Sequence, residues 1–262
     1  MTAITRTKRL GTRRLRFARA PDARIVFLHV PKCGGNSLRL ALRDAWRGPF
    51  SGGSRWRVHV GPRSSRRAAE ELGVSVPAFR DALLRYHLHD AKSRLVTGHF
   101  TWPEGLLEQF PDVSLVTLLR DPVAHFLSCY YEAREAGRAS RASTPFSTET
   151  TRGIGTRFVR AFSGPLEPQE VEKPHAIEAA CSRLATVAAI GLLEDLPGFV
   201  DDFRQRFRVR LRLPHANAGT LRQRQERVEL PDALRARIAE RVAPNQAIYD
   251  FARSEIARRR DL

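Results

Sequence analysis

The segment that most constrains the fold runs from Ile25 to Trp46. A β-rich apolar run from Ile25 to Val30 is stopped by Pro31 and turns on the Gly34-Gly35 pair. It then gives way to Leu38, Leu40, Ala41, Leu42 and Trp46 at helical spacing. A buried strand leading through a glycine turn into a helix predicts a parallel α/β sheet, since the helix carries the chain back for the next parallel strand. The turn also offers backbone N–H groups at the positive end of the helix dipole, where a phosphate is well held.

The rest of the chain continues the alternation. Apolar runs from Arg94 to Gly98 and from Val113 to Leu119 flank a short helix that Pro103-Glu104 can start. Val187 to Leu193 reads as another buried strand and Val209 to Leu213 as a further one. Helices are expected at 67–73, 77–89, from Asp121-Pro122 to near Gly137, at 154–163, 168–184 and Leu196 to Phe207, and after Pro231 and Pro244. Residues 48–67 read as a long surface loop and 138–152 as a mobile loop or lid. The prediction is one P-loop-like three-layer α/β domain over residues 25–262, its central, mainly parallel sheet flanked by helices, preceded by a basic arm at 1–24. A chain of 262 residues can bury roughly 70–75% of its unfolded surface, so it needs no disulfide or metal staple.

Charge points to an anionic partner: 45 basic residues against 28 acidic ones give +17. Lysine occurs only at Lys8, Lys32, Lys92 and Lys173, so arginine supplies nearly all of the positive charge. The run after the arm, Ile25 to Val30, is too short for a signal-peptide core or a membrane span. The arm therefore reads as solvated, with an organellar transit peptide as the alternative. Cys33, Cys129 and Cys181 are odd in number and lack CxxC spacing, so a reducing, cytoplasmic setting is expected and no disulfide framework or metal site.

Three clusters carry candidate chemistry. In Pro31-Lys32-Cys33-Gly34-Gly35-Asn36-Ser37, Lys32 adds a mobile positive charge and Ser37 a hydroxyl to the phosphate-ready turn. The segment contains neither GxxxxGK[ST] nor GxGxxG. Arg120, at a strand end before Asp121-Pro122, offers a planar donor fork to a phosphate, and Ser128 offers a hydroxyl from the following helix. His99, after Gly98, sits where α/β sheets place their ligand sites. His87 and His89 point to different helix faces and make a poor metal pair, His125 reads as exposed, and Cys33 as a small neutral filler.

These segments resemble the sulfotransferases that use 3′-phosphoadenosine 5′-phosphosulfate (PAPS), particularly the heparan-type and chondroitin-type carbohydrate enzymes. The first is similar to their 5′-phosphosulfate loop, with Cys33 and Asn36 in place of threonines. Val116 to Tyr131 is similar to their 3′-phosphate motif, and Val96 to Phe100 to their strand-end Gly-His. The resemblance implies that Lys32, Cys33, Gly34, Gly35, Asn36 and Ser37 hold the 5′-phosphate while Arg120 and Ser128 hold the 3′-phosphate. Lys32 and His99 would be catalytic, His99 as general base. Asn217, Arg222 and Arg224, in a basic loop, are weaker candidates for the cofactor clamp.

The implied activity is sulfuryl transfer from PAPS to an acceptor hydroxyl, of a carbohydrate or glycoconjugate, without a metal. Two other classes stay open. A P-loop-like kinase or nucleotide hydrolase would need Mg²⁺ and a strand-end carboxylate, for which Asp121 is the candidate. A polyanion-binding protein would rest on charge alone and lose its ligand in salt, and no specific nucleic acid is expected.

Overall fold

The computed structural model describes residues 23–47, 57–136, 149–167, 169–213 and 231–262. Five parallel strands, β1 (Arg24–Leu28), β2 (Arg57–Val60), β3 (Leu95–Gly98), β4 (Val113–Leu119) and β5 (Ala189–Leu192), form one sheet in the order β2-β3-β1-β4-β5. From β1 the chain runs out to the β2 edge, returns to β3, and then crosses to β4 and β5 on the other side. The crevice beyond the carboxyl end of β1 is thus a topological switch point, where open α/β sheets bind ligands. Leu28, the last residue of β1, pairs with Gly98 on one side and Thr117 on the other, so the ends of β3 and β4 flank it.

Both faces of the sheet are covered, which is why β1 reads as an unbroken apolar run: all five of its residues are buried. Ile25, Phe27, Leu95, Val116 and Leu118 face helices α1 (Gly35–Ala45) and α9 (Leu196–Phe207), packing on Leu38, Leu42, Phe199 and Phe203. Val26, Leu28, Val96, Leu115 and Ile190 point to the other layer. That layer holds α3 (Val76–His89), α7 (Arg157–Phe162), α8 (Pro174–Ala185) and α11 (Ala243–Arg260). The result is a three-layer α/β domain. A smaller cluster joins α5 (Pro122–Glu135), α6 (Glu149–Gly155) and α10 (Asp232–Arg241) through Phe126, Tyr130, Ile154 and Ile238. Buried Arg24 anchors the start of β1, donating to the Leu88 and Ser93 carbonyls and pairing with Asp112.

Several boundaries depart from the sequence pattern. β2 and the start of α2 (Pro62–Glu71) lie within the stretch read as loop; β2 is a short, half-exposed edge strand with no apolar run to announce it. Residues 209–213 form no strand: Val209 and Leu211 point into the core and Arg210 and Arg212 out of it, with no ladder partner among the described residues, which mimics strand periodicity. The helix expected at 154–163 is two helices, α6 and α7, meeting at Thr156, and α6 begins inside the expected 138–152 loop. The remainder of that loop, 138–148, and the N-terminal arm through residue 22 lie outside the described residues. The short helix α4 spans Leu106–Gln109. Among the described residues no helix is long and apolar enough to cross a membrane.

Candidate active site

The loop from β1 to α1 is held in a sparsely populated backbone shape. Lys32 has φ of 66° and Gly34 φ of 77°, both left-handed. A non-glycine residue there costs about 1–2 kcal/mol and persists only where its surroundings over-determine it. Those surroundings come from β4 and α5: Arg120 Nη1 donates to the Lys32 carbonyl at 3.3 Å, and His125 Nε2 donates to the Pro31 carbonyl at 3.0 Å. Gly34 is favoured by its left-handed φ, and Gly35 by close packing. A Cβ on Gly34 would meet Leu193 Cδ1 at 2.5 Å, and one on Gly35 would collide with the His29 ring. Among the described residues no side chain caps the N-terminus of α1, and the Ser37 N–H donates to the Gly34 carbonyl at 3.1 Å, which leaves the Gly35 and Asn36 amides as the uncapped start of the helix, the end that favours an anion.

Arg120 joins the loop to the neighbouring strand end. Its Nε is buried and has no hydrogen-bond partner among the described residues. Ser128 is half-buried on α5, and Asn36 is exposed and Ser37 half-buried on α1. The Lys32 ammonium pairs with Glu132 on α5 at 3.3 Å. Asp121 serves as N-cap of α5, accepting the Ala124 N–H at 2.8 Å. Glu194 accepts the Asp121 N–H and the Tyr249 hydroxyl, each at 3.0 Å, so both carboxylates fix the β4–α5 corner.

His99 stands across the crevice at the end of β3. Its Nδ1 lies 2.8 Å from the His29 carbonyl. A carbonyl only accepts, so Nδ1 carries the proton and Nε2 keeps its lone pair. Burial, with the positive charges of Arg80 and Arg157 adding to it, lowers the His99 pKa to about 4. His99 is therefore neutral at pH 7 and able to accept a proton. Arg80 Nη1 holds the His99 carbonyl at 3.0 Å. The His29 ring stacks on His99 with centroids 4.4 Å apart, and its own pKa falls to about 3, chiefly by burial.

The structure thus brings Lys32, Gly34, Gly35, Asn36, Ser37, His99, Arg120 and Ser128 to one end of the sheet. Asn217, Arg222 and Arg224 lie outside the described residues. Cys33 is fully buried and burial pushes its thiol pKa up, as suits a neutral filler. His125 is a correction: it is fully buried, its pKa lowered to about 3 by burial. Its helix packs against α7, with the ring 4.9 Å from that of Phe158, and a polar residue one turn past Asp121-Pro122 gave no sign of that partner. Sequence reasoning also missed His29, Glu132 and Arg157. Arg157, whose Nη1 lies 3.4 Å from Cys129 Sγ, acts electrostatically on His99, His125 and Cys33. Glu132 and Arg157 reach the loop from α5 and α7 through helix packing, which no short-range spacing announces, whereas His29 directly follows β1 and is marked out only by the Gly35 and His99 it meets.

No protein-family model matches this sequence, and no curated protein matches it.

Proposed function

We propose that the protein is a PAPS-dependent sulfotransferase that transfers the sulfuryl group to an acceptor hydroxyl, of a carbohydrate or glycoconjugate. The observation that carries this reading is the Arg120–Lys32 contact. It puts a guanidinium beside the left-handed glycine loop that leads into α1, so that two elements able to hold an anion share one crevice. The donor, when bound, supplies an activated sulfuryl group on its 5′-phosphate. The amides of Gly34, Gly35 and Asn36 hold that phosphate, and Arg120 with Ser128 holds the 3′-phosphate. His99 Nε2 takes the proton of the acceptor hydroxyl as its oxygen bonds to sulfur. The sulfur–phosphate oxygen bond breaks, and Lys32 stabilises the charge left on that oxygen. The use of Asp121 as a helix cap weighs against the Mg²⁺-dependent alternative, which would draw on the same carboxylate.

Thermal melts test this reading. Adenosine 3′,5′-bisphosphate engages both elements, whereas ATP and ADP engage one. A ligand at a hundredfold excess over Kd stabilises the folded state by about 2.7 kcal/mol. The bisphosphate is expected to raise Tm without Mg²⁺, and Arg120→Ala to remove most of the rise. A larger shift with ATP plus Mg²⁺ would favour a kinase. A shift only with heparin or nucleic acid, lost in high salt, would favour a polyanion binder.

A further inference from the structure

His29 is 7% exposed and wedged between two parts of the site. On one side its ring fills the space a Cβ would need at Gly35, the first residue of α1; on the other it stacks against His99 at an interplanar angle of 28°. Below, it stacks on Phe27 of β1, with centroids 5.3 Å apart at 12°. Its carbonyl accepts the His99 Nδ1–H, and its own Nδ1 is buried without a hydrogen-bond partner among the described residues, so the ring contributes a flat face and not a polar contact at that atom.

We infer that His29 is a positioning residue for His99: its ring and carbonyl together hold the His99 imidazole in one orientation and one tautomer, at a set distance from the phosphate loop. The inference deepens the sulfotransferase reading and rests on it for the role of His99 as base. The physical requirement is plain. A half-buried imidazole with one hydrogen bond can rotate about its ring torsion, and rotation would exchange the lone pair of Nε2 for a C–H edge. A flat ring stacked on one face restricts that rotation, and misplacing a reacting group by 1 Å can cost about a hundredfold in rate.

Two space-filling variants separate a flat face from mere bulk. His29→Phe keeps the stack, whereas His29→Leu fills a similar space without one; both keep the carbonyl. Long-range ¹H–¹⁵N spectra of His99 are the first readout, independent of any activity. The wild type and His29→Phe are expected to show Nδ1 protonated, and His29→Leu a mixture of tautomers. The second readout is PAPS-dependent transfer. His29→Leu should lower kcat by about 10–100-fold with bisphosphate affinity within threefold of wild type, and His29→Phe should restore most of it. Wild-type His99 protonated at Nε2, an unchanged tautomer and kcat in His29→Leu, or equal loss in both variants would overturn the inference. So would loss of bisphosphate binding in His29→Leu, since the ring would then serve the loop and not the base. If the wild type transfers no sulfuryl group, the sulfotransferase reading falls while the spectra still decide whether His29 positions His99.

Discussion

The Lys32 ammonium lies 3.3 Å from the Glu132 carboxylate, a pair that joins residues a hundred positions apart across the mouth of the crevice. The lysine proposed to neutralise the leaving oxygen is thus held by an anion of the protein itself when no phosphate is bound. Lys32 is 30% exposed and Glu132 51%, so solvent weakens the pair and a phosphate can displace the carboxylate.

Replacing Glu132 with Gln should therefore tighten binding of adenosine 3′,5′-bisphosphate. A solvent-exposed ion pair contributes about 0.2–1 kcal/mol, which corresponds to a gain in affinity of about fivefold at most. Calorimetric titration of both proteins at one salt concentration checks this. Weaker binding would mean that Glu132 helps form the site and does not compete for it.

Lys32→Ala should lower kcat by about 10²–10³, the usual loss for a donor aimed at developing charge, while changing bisphosphate affinity much less. Lys32→Arg should fail similarly, because a planar fork does not replace a compact ammonium in a left-handed loop position. Steady-state kinetics beside bisphosphate titrations separate the two effects. Near-normal turnover of Lys32→Ala would remove the residue from the chemistry.

His99→Ala should lower transfer by about 10²–10⁴ and leave bisphosphate binding intact. Because a base works unprotonated and the His99 pKa is lowered to about 4, the free enzyme should keep kcat/KM level from pH 7 down to pH 5.5 and lose it as pH approaches 4. An acid limb centred near 6.5 would show an ordinary, solvated imidazole.

Acid should also unfold the protein early. His29, His99 and His125 have folded pKa values of about 3, 4 and 3 against an ordinary 6.5, so below pH 6.5 the unfolded chain binds more protons than the folded one. Their contribution is complete above pH 6.5 and lost as pH falls towards 3. Glu255, held at about 2 by hydrogen bonds from Arg258 and Arg259, adds a further loss below about pH 4.5. Melts between pH 7.5 and 5 should show Tm falling with pH, and His29→Phe should reduce the slope.

Gly191→Ala tests the packing of α9 on β5. The added Cβ would stand 2.6 Å from Phe199 Cδ2 and 2.7 Å from Leu118 Cδ1, so the variant should lose about 1–3 kcal/mol in urea unfolding. An unchanged midpoint would mean that the helix can shift without cost.

Periodicity and punctuation alone determined the α/β class, the strand–glycine turn–helix unit and Leu196–Phe207 as a helix, since each depends on residues within a few positions of one another. The same local reading placed Lys32, His99 and Arg120 at strand ends. Tertiary structure decided the strand order and therefore which strand ends meet. It alone brought His125, Glu132 and Arg157 to the site from α5 and α7, and it set His29, next to β1 in sequence, against His99 at the neighbouring strand end. It also turned an apparently exposed His125 into a buried donor to Pro31, and it formed β2 from four residues with little pattern of their own. Local sequence carries short-range spacing, but a side chain's burial and partner depend on chain segments distant in sequence, which only packing brings together.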